Sequence, residues 1–212
     1  QILSSVDGIL ERLQTEYLDV LLLHRPDALM EPEEVAEAFD RLRQSGKVRY
    51  FGVSNHKPSQ IELMKKYVKQ PLMINQLQFS IPVSNMVAAG LEANMTTAGS
   101  ADRDGSVLDY SRLNEMTIQA WSPFQMENWQ GCFIDSEKFP ELNAEMEKLA
   151  AQYGVTKTTI ATAWILRHPA KMQVVSGTAS EKRLQEIVDA EKVDLTREEW
   201  YRLYLSAGHI LP

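Results

Sequence analysis

A chain of 212 residues that is 44% hydrophobic and 24% charged has the make-up of a globular protein, neither disordered nor fibrous. Its formal net charge of -7 excludes the basic footprint of a nucleic-acid binder, so the expected partner is a small molecule. The single cysteine, Cys132, has no internal disulfide partner, and no signal-like or membrane-length apolar run occurs, which together make the cytoplasm the expected location.

Helical and strand signals alternate along the chain as repeated β-α units. The chain opens at Gln1, without a methionine, directly in an amphipathic segment, so a preceding stretch is expected. The first strand is predicted over Leu18 to Arg25, within the run LDVLLLHRPD. Pro32-Glu33-Glu34 then opens a helix whose Val35, Ala38, Phe39 and Leu42 recur at helical spacing, and Gly46 supplies its stop. A second strand, Arg49 to Ser54, completes one β-α-β unit. Ser59 to Lys69 reads as a helix packing Ile61, Leu63, Met64 and Val68, before a third strand at Met73 to Phe79. A long link, Ile81 to Glu115, contains a polar turn around Gly105. The fourth strand is Thr117 to Ser122, and helices at Leu142 to Gln152 and Thr158 to Arg167 lead to a fifth at Met172 to Gly177. Helices Glu181 to Asp189 and Arg197 to Leu205 close the pattern. A parallel strand covered on both faces is apolar along its length, so polar groups at its C-terminal end are the ones able to meet a ligand. Those ends are His24, Ser54-Asn55, Asn75-Gln76, Trp121-Ser122-Pro123 and Gly177-Thr178.

Other chemistries find less support. The four histidines, His24, His56, His168 and His209, have no second ligand at metal spacing, so no metal is expected. Cys132 has no histidine beside it in sequence, Ser122 precedes Pro123 instead of sitting in a Gly-x-Ser-x-Gly elbow, and no Gly-x-Gly-x-x-Gly or P-loop occurs.

Six segments, LDVLLLHRPD, GKVRYFGVSN, INQLQFS, QAWSPF, GVTKTTIATAWILRHPA and VSGTASEKRLQE, make the chain resemble the aldo-keto reductase family. They stand in the family's order and span nearly the whole chain, and the final stretch LTREEWYRLYLSAGHILP is similar to its bacterial oxidoreductase branch. The resemblance implies an α/β fold, a (β/α)8 TIM barrel of aldo-keto reductase type, incomplete here with about five of eight strands. Residues 1–212 would then be a single domain, the C-terminal portion of such a barrel. It also implies NADP(H) as cofactor, a small-molecule carbonyl substrate, and a monomer when complete.

Residue by residue, the resemblance makes His24 the active-site histidine that donates a hydrogen bond to the substrate carbonyl. Without the resemblance, a histidine ending a strand with its ring bonded to backbone is the simpler reading. Ser54, Asn55 and Gln76 match the residues that hold the nicotinamide carboxamide, a group needing both donors and acceptors. Trp121 matches the ring that stacks on the nicotinamide, with Ser122, Pro123 and Phe124 following it in the motif. Gly177, Thr178 and Arg183 fall where the family binds the 2′-phosphate, at the start of a helix that Ser180 can cap. Glu186 falls where the adenine is held, although Ile187 replaces the asparagine common beside it.

The departure lies upstream. The family's catalytic tyrosine, aspartate and lysine sit on segments before the histidine strand, and here only residues 1–17 precede it. Tyr17 sits on the approach to the strand and is read as structural. Loss of a proton donor costs about 10²- to 10⁴-fold in rate, so the chain alone is expected to be inactive. The alternative expectation is a non-catalytic relative that binds NADP(H) as a sensing or assembly module.

Overall fold

The computed structural model describes residues 1–212, which fold as two compact units. The first comprises Gln1–Gln76 and Asp109–Thr117, the second Leu77–Leu108 and Ile118–Pro212. Five strands, β1 (Leu18–Leu23), β2 (Val48–Ser54), β3 (Leu72–Gln78), β4 (Thr117–Trp121) and β5 (Gln173–Val174), form one sheet in the order β1-β2-β3-β4-β5. Sequence order equals sheet order, as consecutive β-α units require.

In the first unit, α1 (Ile2–Leu13) and α2 (Pro32–Gln44) flank β1 in the chain. Pro32 opens α2 where its missing N–H costs nothing, acidic Glu33 and Glu34 follow, and Arg41 and Arg43 occupy the last turn, each charge matched to the nearer end of the helix dipole. Its apolar stripe buries Val35, Phe39 and Leu42, and Phe39 stacks on Phe51 of β2 with centroids 4.1 Å apart. Parallel register pairs Leu21 with Phe51 and Leu22 with Gly52. Gly52 is required there, because a Cβ would lie 2.6 Å from the Ile74 carbonyl oxygen and 2.7 Å from Leu22 Cδ2. α3 (Pro58–Lys65) buries Ile61 and Met64. Tyr17 carries the Arg49 guanidinium 3.7 Å from its ring centroid, a structural cation-π contact.

The second unit contains α4 (Asn85–Leu91), the four helices from residue 140 onward and the larger apolar cluster. α6 (Pro140–Tyr153) ends on Gly154 at φ 66°, the left-handed residue a helix stop favours. α7 (Lys157–Leu166) and α9 (Arg197–Ser206) exchange reciprocal hydrogen bonds, Trp164 Nε1 to the Trp200 carbonyl at 3.0 Å and Trp200 Nε1 to the Trp164 carbonyl at 2.9 Å. The two indoles stack at 4.6 Å, so the polar edge of each buried ring is satisfied by the other helix. Between them in the chain, α8 (Glu181–Val188) presents no buried side chain of its own.

Four expectations need correction. β1 is not covered on both faces: Val20 and its register partner Tyr50 are 37% and 52% exposed, because α1 and α2 cover only the Leu21–Phe51 face. β5 is confined to Gln173–Val174, and Ser176 to Ser180 leave the ladder to build a loop. The link from Ile81 to Glu115, read as a link with a polar turn, also holds two helices, α4 and α5 (Val107–Leu113), formed from runs too short to show a periodicity. Helix α3 stops at Lys65, leaving Leu63 46% exposed, while Val68 is buried from the turn that follows. No helix is long and apolar enough to cross a membrane.

Candidate cofactor cleft and strand-end cluster

The predicted site residues fall into both units, His24, Ser54, Asn55 and Gln76 in the first and the others in the second. In the first unit, register places Ser54 beside Gln76 at the ends of β2 and β3. Ser54 is 2% exposed, donates from Oγ to the Gln76 carbonyl at 2.9 Å, and accepts from Asn55 Nδ2 at 2.8 Å. The Asn55 amide also donates to the Gln76 carbonyl, at 3.0 Å, which the residue reaches through a left-handed φ of 59°. Asparagine tolerates that conformation better than most side chains. Strand pairing and one buried hydroxyl thus fix the Asn55 carboxamide beside the Gln76 backbone at adjacent strand ends, and the carboxamides of Asn55 and Gln76 are of the type that offers the donors and acceptors recognition of another amide needs. Asn75, fully buried, donates to the His56 carbonyl at 2.9 Å, and its Oδ1 has no partner.

His24 follows β1, is exposed, and lines a cleft together with Leu23, Arg25, Asp27 and His56. His56 was not singled out by sequence, although it directly follows the Ser-Asn strand end. It is 2% exposed, with Nδ1 2.9 Å from the Ser54 carbonyl. A carbonyl only accepts, so Nδ1 carries the proton. Burial pushes the His56 pKa below its ordinary value, and the bond to Ser54 opposes that shift.

In the second unit, a cleft of about 800 Å³ is lined by Trp121 to Gln125, Gly177, Thr178, Ser180, Lys182, Arg183 and Glu186. All the second-unit residues singled out from sequence therefore meet in one place. The loop after β5 is built from successive short hydrogen-bonded turns, Thr178 N to Ser176 Oγ at 3.3 Å and Ser180 N to Thr178 Oγ1 at 3.2 Å. Ser180 is the N-cap of α8, accepting from the Arg183 amide at 3.4 Å. Amides at a helix start, its positive dipole end and two adjacent cations, Lys182 and Arg183, make a corner with the chemistry to accept an anion. Lys182 adjoins Arg183 in the sequence but is not among the residues the resemblance names. Glu186 reaches the cleft from the last turns of α8, where its carbonyl accepts from Thr159 Oγ1 at 2.8 Å.

Trp121, half-buried at the end of β4, stacks on Trp129 with centroids 5.5 Å apart and 18° between planes. Trp129 is 69% exposed at the tip of a hairpin closed by the antiparallel pair Gln125 and Cys132. That hairpin brings Cys132 into the cleft, a placement with no signal in sequence. Desolvation of its sulfur pushes the thiol pKa up, opposed by a backbone bond at Ile134 and by the Arg183 charge, although the residue as a whole is exposed.

A phosphorylated nucleotide fits the chemistry of this second cleft, with an anion corner at α8, a flat aromatic surface at Trp121, and hydroxyls from Thr158, Thr178 and Ser180 around them. The aldo/keto reductase family model matches residues 1–204. The chain belongs to the aldo/keto reductase family. It is 32% identical over 214 residues to the uncharacterized oxidoreductase YcsN of Bacillus subtilis (strain 168), an alignment covering 100% of this chain and 65% of YcsN. To the 6-dehydroglucose reductase of Agrobacterium fabrum it is 33% identical over 203 residues, covering 96% of this chain and 61% of that enzyme. A crystal structure of a thermostable aldo-keto reductase with the inhibitor epalrestat matches with a TM-score of 0.74 at 25% identity, covering 97% of this chain and 65% of that one. This aldo/keto reductase chain thus spans less than two thirds of the length of these relatives. Its five strands in consecutive order agree with part of the family's (β/α)8 barrel.

Proposed function

We propose that the chain serves an NADP(H)-dependent oxidoreductase that reduces an aldehyde or ketone to an alcohol by hydride transfer. The observation that carries this reading is the convergence in one cleft of Trp121 with the anion corner formed by Thr178, Ser180, Lys182 and Arg183. A bound nicotinamide would supply the hydride. The chain's own residues bind and orient: Arg183 and the amides at the start of α8 take a phosphate, Glu186 faces the nucleoside, and Trp121 with Ser122, Pro123 and Phe124 offers the face for the nicotinamide. Within the first unit, Asn55 and Gln76 are of the residue type that suits a carboxamide. His24 donates a hydrogen bond to the substrate carbonyl oxygen, stabilising the charge that develops there as hydride reaches carbon. No residue of this chain is assigned as the acid that protonates the alkoxide, and we propose that the chain by itself binds cofactor without turning over. The substrate is a small carbonyl compound, and the name of the Agrobacterium relative makes 6-dehydroglucose the first to try.

The test is a titration with NADPH followed by tryptophan quenching, repeated with NADH and with Arg183→Ala. Saturable NADPH binding, weakened about tenfold or more by the substitution through loss of a charge-assisted contact, supports the reading. Equal binding of NADPH by wild type and variant overturns the role of Arg183, and absence of wild-type binding overturns the cofactor assignment for this chain.

A further inference from the structure

We propose that His209, in the segment after α9, is a positioning residue for the Gln125–Cys132 hairpin that lines the second cleft. The inference rests on reading that cleft as the cofactor site, but the contacts that carry it are independent of any ligand. Gly208, at φ 90°, turns the chain back from α9 so that the His209 ring stacks on Tyr204 with centroids 4.3 Å apart. Its Nε2 then lies 2.7 Å from the Ile81 carbonyl and 2.8 Å from Ser84 Oγ. A carbonyl cannot donate, so Nε2 carries the proton and the ring is held as the Nε2–H tautomer. Burial keeps the His209 pKa below its ordinary value, which suits a neutral donor, while Glu92 and Glu127 oppose that shift.

What His209 grips is the segment that leaves β3. Phe79, Ser80, Ile81 and Ser84 are fully buried, and Ser80 and Val83 close a tight turn through reciprocal backbone bonds of 3.1 Å. From that turn, Ser80 Oγ donates to the Gln125 carbonyl at 2.9 Å, at the base of the hairpin. Gln125 pairs with Cys132, and the Met126 amide donates to the Gly131 carbonyl at 2.8 Å. A continuous chain of contacts therefore runs from His209 through Ile81, Ser84 and Ser80 to the two hairpin residues, Gln125 and Cys132, that line the cleft. Removing the donor leaves the Ile81 carbonyl with only the longer 3.2 Å bond from Ser84 Oγ, and the hairpin base is then held by a loosened partner.

Cys132, the only cysteine in the chain, makes the hairpin's position measurable without cofactor. Its alkylation rate is compared among wild type, His209→Ala, His209→Gln and Ser80→Ala, at equal far-ultraviolet circular dichroism and below each variant's unfolding transition. Ser80→Ala and His209→Ala are expected to speed alkylation several-fold, and His209→Gln, whose carboxamide can still donate to Ile81, to restore the wild-type rate. The two alanine substitutions combined should accelerate the reaction no more than either alone, because they cut the same path. An unchanged rate in folded Ser80→Ala, or additive effects in the double variant, overturns the proposal. If His209→Ala does not fold, Ser80→Ala decides alone, since it leaves the His209 contacts intact. NADPH affinity measured on the same proteins separates the two readings. Several-fold weaker binding that tracks the alkylation rates supports both, whereas altered alkylation without any NADPH binding by wild type leaves the positioning role standing and removes the cofactor assignment.

Discussion

Replacing Ser54 by alanine tests how the carboxamide cluster is held. The hydroxyl is 2% exposed and serves two bonds, donating to the Gln76 carbonyl at 2.9 Å and accepting from Asn55 Nδ2 at 2.8 Å. Each such bond contributes about 0.5–1.5 kcal/mol net, and a buried group left without a partner costs about 1–3 kcal/mol. The Gln76 carbonyl is not stranded, because the Asn55 amide still donates to it at 3.0 Å. Asn55 and Gln76 each keep further interactions, so the loss lies toward the lower end, about 1–2 kcal/mol in total. Urea unfolding followed by tryptophan fluorescence should show a lower midpoint at unchanged slope. Ser54→Thr, which retains the hydroxyl, serves as the comparison. If Ser54→Ala matched wild type within about 0.5 kcal/mol, the level of an ordinary surface substitution, the hydroxyl would not be what orders the Asn55 side chain against the Gln76 backbone. The structural account of the cluster would then fail.

Gly52→Ala brings a methyl to 2.6 Å from the Ile74 carbonyl oxygen, so β2 and β3 must separate; we expect a loss of about 1–3 kcal/mol, checked by denaturant midpoint and refuted by a neutral result. Thr196→Ala removes the hydroxyl that accepts from the Glu199 amide and caps α9, which should lower stability by about 1 kcal/mol in the same assay. Stability should also fall on acidification. Burial holds the pKa values of His56 and His209 below the ordinary 6.5, so near and below that pH the unfolded chain binds protons the folded one resists. The thermal midpoint is therefore highest above pH 6.5 and declines as pH drops toward the lowered folded values. His56→Phe and His209→Gln should each flatten that decline, and an unchanged slope in both would refute the assignment.

Much of the fold was legible because the governing interactions are local. Pro32, the Val35, Phe39 and Leu42 stripe and Gly46 delimit α2 within one or two residues, since propensity, capping and amphipathic spacing act over a single turn or two. The strand-end residues could be named for the same reason, as a buried parallel strand announces where its apolar run stops. Short elements escaped: α4 and α5 carry too few turns for a periodicity, and β5 is fixed by pairing with β4 through Gln119 and Ala120 more than by its own composition. Among candidate residues, Thr178 and Arg183 were found through their register with a helix start. Cys132 and Trp129 were not, because nothing next to them in the chain marks them, whereas His56 had the adjacent Ser54-Asn55 strand end as a signal.

The sequence by itself determined the β-α order, the approximate bounds of the longer helices, the family and the groups that end each strand. Tertiary structure decided which of those groups meet. The Cys132 thiol enters the cleft only because a hairpin closes on Gln125, and His209 finds Ser84 across 125 positions of sequence. Only tertiary structure also showed that one face of β1 lies open, with Val20 and Tyr50 exposed, since apolar composition records what a strand can bury and not what covers it. The physical division is one of range. Torsional preference, capping and periodicity act between neighbours and are written in the local sequence, whereas a contact between remote residues depends on loop closure and packing summed over the segments between them.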